Sequence, residues 1–209
     1  MKQAWRSVAL LLLALVFSLP APEAYSASKT VLVLGDSLSA EYGLARGTGW
    51  VPLLEARLKS EKIDAAMVNA SISGETSSGG RSRLPTLLDK HRPDIVVIEL
   101  GANDGLRGLS IASTEANLRA LIDASQKARA KVLLVGMQLP PNYGPDYTRR
   151  FSGMYPKLAK EAKVALVPFL LQGLDKPQFF QVDRLHPTAE AQATILNNIW
   201  PHLKPLLTK

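Results

Sequence analysis

The stretch Val31-Leu32-Val33-Leu34-Gly35-Asp36-Ser37-Leu38 sets the frame for the whole chain. Four apolar residues in succession suit a strand buried on both faces, as in a parallel sheet. Gly35 ends that strand in a turn, so the next side chains emerge at the sheet's carboxyl edge, where open α/β folds bind ligands. Ser37 is therefore a candidate nucleophile, and equally a turn serine capping the following helix. Residues elsewhere in the chain have to decide between the two.

Similar short apolar runs recur at Ala66–Asn69, Ile95–Leu100, Val132–Met137 and Val164–Val167. Between them, Trp50-Val51, Leu53-Leu54 and Leu58 follow helical spacing, as do Leu118, Leu121-Ile122 and Ser125. The segment Thr188 to Leu203 places Ile195-Leu196 and Ile199-Trp200 on one helical face. Five strands alternating with helices predict a three-layer α/β/α sandwich around a five-stranded parallel sheet. Leu139 to Arg150, rich in Pro, Asn, Gly and Tyr, reads as the longest irregular stretch and a candidate binding loop.

Residues 1–26 have the layout of a secretory signal peptide. Lys2 and Arg6 precede the apolar run Val8 to Leu19, and Ala24 and Ser26 place small residues before a cleavage site after Ser26. The run is short for a transmembrane span. The remainder, residues 27–209, suits one domain with a sizeable core. The chain has no cysteine, which excludes disulfides, thiol catalysis and cysteine-based zinc sites. Its formal net charge is +7, and loss of Lys2, Arg6 and Glu23 with the leader leaves about +6. Arg81, Arg83, Arg107, Arg149 and Arg150 are scattered and lack interleaved aromatics, which argues against nucleic-acid binding.

Three strand ends carry unusual turns: Gly35-Asp36-Ser37, Asn69-Ala70-Ser71-Ile72-Ser73-Gly74-Glu75-Thr76 and Gly101-Ala102-Asn103-Asp104-Gly105. A parallel sheet puts all three on one edge. Far along the chain, Asp183-Arg184-Leu185-His186-Pro187 precedes the last helix. These residue types fit acyl transfer. A serine hydroxyl needs a base to take its proton. Histidine serves near neutral pH, and Asp183 can fix the tautomer of His186. The N–H groups of Ser37 and Gly74 and the side-chain amide of Asn103 are candidate oxyanion donors. Asp36 and Asp104 read as loop-bracing residues rather than participants. His91 and His202 lack a comparable setting.

Gly35-Asp36-Ser37-Leu38, Gly74, Gly101-Ala102-Asn103-Asp104 and Asp183-Arg184-Leu185-His186 resemble, in order and spacing, the four blocks of the SGNH (GDSL) hydrolases. Val68–Thr76, Ile98–Gly101 and Gln138–Gly144 are similar to its periplasmic thioesterase/arylesterase/lysophospholipase branch from Gram-negative bacteria. The resemblance implies a flavodoxin-like strand order 2-1-3-4-5 and hydrolysis of acyl esters and thioesters through an acyl-enzyme on Ser37. It also implies no cofactor or metal, a small-molecule or lipid acyl substrate, transient membrane-surface contact, a monomer, and a periplasmic or secreted location. Arg184-Leu185 departs from the small glycine-containing pair usual between the acid and the base. Leu106, Leu109, Leu139, Pro140 and Tyr143, with Phe179 and Phe180, are expected near the catalytic edge, where an apolar groove would suit a fatty-acyl or aromatic ester. Two rivals are a carbohydrate acetylesterase on the same fold and a non-catalytic flavodoxin-like anion-binding protein.

Overall fold

A computed structural model describes residues 28–208; the leader expected over residues 1–26 lies outside the described residues. Five strands form one parallel sheet in the order β2-β1-β3-β4-β5. They are β1 (Lys29–Gly35), β2 (Ala65–Asn69), β3 (Ile95–Glu99), β4 (Lys131–Val135) and β5 (Ala165–Val167). The expected architecture and strand order are both observed.

Helix α1 (Trp50–Ser60) packs with α6 (Gln192–Thr208) on one face of the sheet. On the other face α2 (Ser77–His91), α4 (Ile111–Lys127) and α5 (Pro145–Ala162) pack side by side, and the short α3 (Ala102–Leu106) follows β3. This split follows from the path of the chain. From β1 it moves one place outward to β2, then returns past β1 to β3 and continues through β4 to β5. Right-handed crossovers place helices on opposite faces when the direction reverses. The reversal lies between β1 and β3, and the loops there open a crevice at their carboxyl ends.

Val31–Leu34 and Ile95–Ile98 are fully buried, as expected of central strands covered on both faces. The same expectation fails for β2, whose residues are half-buried or exposed because it lies at the sheet edge. The stretch 139–150 is also more ordered than its composition suggests. After a 3₁₀ turn at Pro141–Tyr143, α5 begins at Pro145. Proline suits a first helical position because the missing N–H has no helical partner there. The long irregular segment instead joins β5 to α6, and it carries Asp183 and His186.

Candidate active site

The nucleophile turn is built from below. The Asp36 carboxylate accepts the N–H of Leu38 at 3.0 Å, while its carbonyl accepts those of Ser39 and Ala40. Beneath it, Glu99 Oε2 accepts the Asp36 N–H at 3.2 Å and the Ser39 hydroxyl at 2.7 Å. Trp50 Nε1 donates to the Ser39 hydroxyl at 3.2 Å, tying the turn to α1. A β-carbon at Gly35 would stand 2.7 Å from Glu99 Oε2, so the turn tolerates only glycine at that close approach.

Ser37 Oγ lies 2.9 Å from His186 Nε2, and His186 Nδ1 lies 2.7 Å from Asp183 Oδ2. The other Asp183 oxygen accepts the N–H groups of Leu185 and His186 at 2.9 and 3.0 Å. Burial pushes the Asp183 carboxyl up, but those two backbone donors and the imidazole outweigh it and hold its pKa at about 2. The loop that delivers His186 is closed by paired backbone. Gln181 N donates to His186 O at 2.7 Å and Thr188 N to Phe179 O at 2.8 Å. The Gln181 side chain reaches the Tyr42 carbonyl at 2.9 Å, and the Tyr42 ring packs 4.3 Å from the imidazole. The residue between acid and base, Arg184, has φ +59°, a conformation glycine would adopt without strain.

Of the three expected oxyanion donors, Ser37 and Asn103 line the cavity beside His186, while Gly74 does not line it and precedes Glu75, whose carbonyl Asn103 meets. Neither the Ser37 nor the Gly74 N–H donates to an acceptor among the described residues. Gly74 has φ +79°, and Arg107 Nη2 donates to its carbonyl at 2.9 Å, which fixes that peptide. Asn103 differs from the expectation of an open donor. Its Nδ2 already donates to Asp36 Oδ2 and to the Glu75 carbonyl, each at 3.0 Å.

Asp36 therefore does more than brace a local turn, since it also orients Asn103. Burial pushes its carboxyl up to about 6, against the opposing pull of the Leu38 N–H, nearby His186 and the Asn103 amide. Glu99 was not singled out from the sequence. Burial raises its carboxyl well above the usual range, and the neighbouring Asp36 charge adds to that; its Oε1 has no partner. The available signal was one acidic residue ending an otherwise apolar central strand. Asp104 sits where expected of a brace, accepting the N–H and hydroxyl of Ser77 at 2.8 and 2.5 Å and the hydroxyl of Thr114 at 3.3 Å.

A cavity of about 520 Å³ opens beside Ser37 and His186. Leu106, Leu139 and Pro140 line it, and Met137, Phe180 and Leu185 contribute further apolar wall. Leu109 and Tyr143 do not line it. Leu109 is exposed on a neighbouring loop, and the Tyr143 hydroxyl instead donates to the Leu106 carbonyl at 2.9 Å. Phe179 packs against the core rather than the cavity.

The GDSL-like lipase/acylhydrolase family matches residues 33–194, which span every element of this site. The chain belongs to that family. Among GDSL-like acylhydrolases, it is 52% identical to an esterase, TesA, of Pseudomonas aeruginosa over 183 residues, covering 87% of this chain and 91% of the relative. It is 45% identical to a thioesterase 1/protease 1/lysophospholipase L1 of Escherichia coli K12, covering 87% and 86% of the two chains. A solved psychrotrophic esterase, EstA from Pseudoalteromonas sp., superposes with a TM-score of 0.82 at 41% identity. That superposition covers 87% of this chain and all of the other.

Proposed function

We propose that residues 27–209 form an exported, monomeric serine hydrolase of acyl esters and thioesters, including aryl esters, lysophospholipids and acyl-CoA. The observation that carries this is the continuous chain Ser37 Oγ, His186 Nε2, His186 Nδ1, Asp183 Oδ2, with successive contacts of 2.9 and 2.7 Å. Relatives at 45–52% identity bear the names of such enzymes.

In this scheme Ser37 Oγ attacks the acyl carbonyl while Nε2 takes its proton. Asp183 keeps the proton of Nδ1 in place and stabilises the imidazolium. The developing oxyanion meets the N–H groups of Ser37 and Gly74, which have no competing acceptor. A third bond from Asn103 Nδ2 displaces the Glu75 carbonyl, the neutral and weaker of its two acceptors. The imidazolium then protonates the leaving alcohol or thiol, whose bond to the acyl carbon breaks. Water attacks the acyl-enzyme with the same histidine as base, releasing the acid and restoring Ser37. The apolar cavity takes the acyl chain, each buried methylene adding about 0.8 kcal/mol.

A panel of p-nitrophenyl esters of increasing chain length, run beside Ser37→Ala, tests the proposal. Wild-type activity extending to medium or long chains, lost with fluorophosphonate labelling in Ser37→Ala, is the expected result. Acetate-only activity would move the assignment to a carbohydrate acetylesterase. Labelling that persists in Ser37→Ala would overturn the nucleophile.

A further inference from the structure

Asp183 and His186 stand on one loop, so the bond between them orients the imidazole within that loop but does not set where the loop lies relative to Ser37. Acyl transfer needs both, with the base held within about 0.5 Å of its working position. The loop has little regular structure of its own. It runs from β5 to α6 with 3₁₀ turns at Pro177–Phe179 and Ala189–Ala191, and Val182 to Leu185 are exposed. An irregular segment of this kind shifts unless its backbone is tied down.

The end of the loop nearest α6 is tied by the buried Gln192. Its Nε2 donates to the Thr188 carbonyl at 3.1 Å, and its Oε1 accepts the Trp50 N–H at 3.0 Å. The part that carries Asp183 and His186 is tied by Gln181. The Gln181 N–H donates to the His186 carbonyl at 2.7 Å, and the Gln181 carbonyl accepts the Arg184 N–H at 2.9 Å. Its side-chain Nε2 donates to the carbonyl of Pro187 at 3.1 Å and to that of Tyr42 at 2.9 Å. Apart from the contact of His186 with Ser37, the Tyr42 bond is the one direct hydrogen bond from residues 175–187 to residues 36–49, among the described residues.

Tyr42 completes the connection from the nucleophile side. Its N–H donates to the Ser37 carbonyl at 3.4 Å, and its ring lies 4.3 Å from the imidazole at an interplanar angle of 39°. The Tyr42 hydroxyl makes no hydrogen bond among the described residues, so the ring is the part that serves. Gly43, at φ +70°, lets Gln181 come this close, since a β-carbon there would collide with Gln181 Oε1. Ser37, Tyr42, Gln181 and His186 thus form a closed circuit that the catalytic contact completes. Neither Tyr42 nor Gln181 lines the cavity.

We propose that Gln181 and Tyr42 are positioning residues that clasp the histidine loop to the nucleophile turn. The Gln181 amide sets the register of the two loops, and the Tyr42 ring backs the imidazole so that Nε2 meets Ser37. The proposal rests on the hydrolase reading for its effect on rate, whereas the placement itself can be measured without catalysis.

Steady-state kinetics on p-nitrophenyl butyrate and an NMR contact test it together. Gln181→Ala is expected to lower kcat about 10–10²-fold, the order that a misplacement of about 1 Å costs. KM should stay within about twofold of wild type, because neither side chain reaches the cavity. Gln181→Glu, equal in size, turns an acceptor towards two carbonyls and should lose as much; it carries the same outcomes should Gln181→Ala not fold. Tyr42→Phe keeps the ring and both backbone bonds and should match the wild type, whereas Tyr42→Ala should lose about tenfold in kcat. A nuclear Overhauser contact between the Tyr42 ring and the His186 imidazole is expected in the wild type and in Tyr42→Phe, and lost in Gln181→Ala. A folded Gln181→Ala with wild-type kcat overturns the proposal, as does a raised KM at unchanged kcat. Equal losses in Tyr42→Phe and Tyr42→Ala overturn the role of the ring. A wild type that hydrolyses no ester, yet shows the ring contact and loses it in Gln181→Ala, sinks the hydrolase reading and leaves the clasp standing. A ring contact that persists in Gln181→Ala overturns the clasp whatever the activity.

Discussion

Replacing Asp183 by Asn changes the single atom on which the tautomer of His186 depends. Asp183 Oδ1 accepts the Leu185 and His186 N–H groups at 2.9 and 3.0 Å, and an amide oxygen can retain both. At Oδ2, which lies 2.7 Å from Nδ1, the variant presents an NH₂ that donates where a carboxylate accepts. The imidazole then keeps its lone pair on Nδ1 and its proton on Nε2, facing Ser37 Oγ. A protonated Nε2 cannot take the proton of the serine. The expected loss in kcat is about 10³–10⁴-fold, or roughly 4–5.5 kcal/mol of transition-state stabilisation at 1.36 kcal/mol per decade. KM for p-nitrophenyl butyrate and the melting temperature should change little, because the loop keeps both backbone bonds. Asp183→Ala should match that loss in kcat and also weaken the fold by about 1 kcal/mol, as it strands two N–H groups beside solvent. Steady-state kinetics and thermal melts on the two variants decide the matter. A folded Asp183→Asn retaining kcat within tenfold of wild type would refute the reasoning. With its carboxyl held at about 2, Asp183 stays ionised above that value. Its contribution to stability is present above the ordinary carboxylate range and fades only as pH falls towards 2.

Asn103→Ala is expected to lower kcat by about 10²–10³-fold with little change in KM, and steady-state kinetics on a soluble ester check it. A drop below tenfold would mean that Asn103 only bridges Asp36 and Glu75. Glu99→Gln should keep both bonds at the inner oxygen and cost about 1–2 kcal/mol at pH 7, because an NH₂ replaces the partnerless Oε1. Its pH profile is the sharper readout. The folded-state pKa values of Asp36 and Glu99 are both raised, so the native state holds protons that the unfolded chain releases. Stability therefore falls as pH rises from about 4 to about 6 through Asp36 and continues to fall above that through Glu99. Urea denaturation should show a decline above about pH 6 in the wild type that is absent in Glu99→Gln, which keeps the part below about 6 that Asp36 contributes; parallel profiles above 6 would contradict it.

The strands were legible because central parallel strands must be apolar on both faces, as Val31–Leu34 and Ile95–Ile98 are; their order was implied by the resemblance to the SGNH family. The candidate triad was legible because acyl transfer needs a serine, a base and an orienting acid, and His91 and His202 offered no comparable setting. Sequence periodicity failed where tertiary position overrides composition. Strand β2 lies at an edge, so its faces are only half covered despite an apolar look. Pro145 reads as a loop residue until its place at the first turn of α5 is seen. Leu109 and Tyr143 share a neighbourhood with Leu106 and Leu139 but point to different work, which spacing alone does not resolve. The hydrogen bonds from the Asn103 amide to Asp36 and from the Asp36 N–H to Glu99 join residues more than sixty positions apart. Such pairings leave no local pattern to read.

The 149 residues between Ser37 and His186 have a consequence for the enzyme's history as well as its chemistry. During synthesis from the amino terminus, the serine emerges early and the histidine close to the end. A serine hydroxyl without its base is a poor nucleophile, so the nascent chain is inert towards the acyl compounds around it. On the proposed mechanism, hydrolysis begins only once the segment after β5 has brought His186 to Ser37. On that mechanism the appearance of hydrolysis is a report that the last loop has closed.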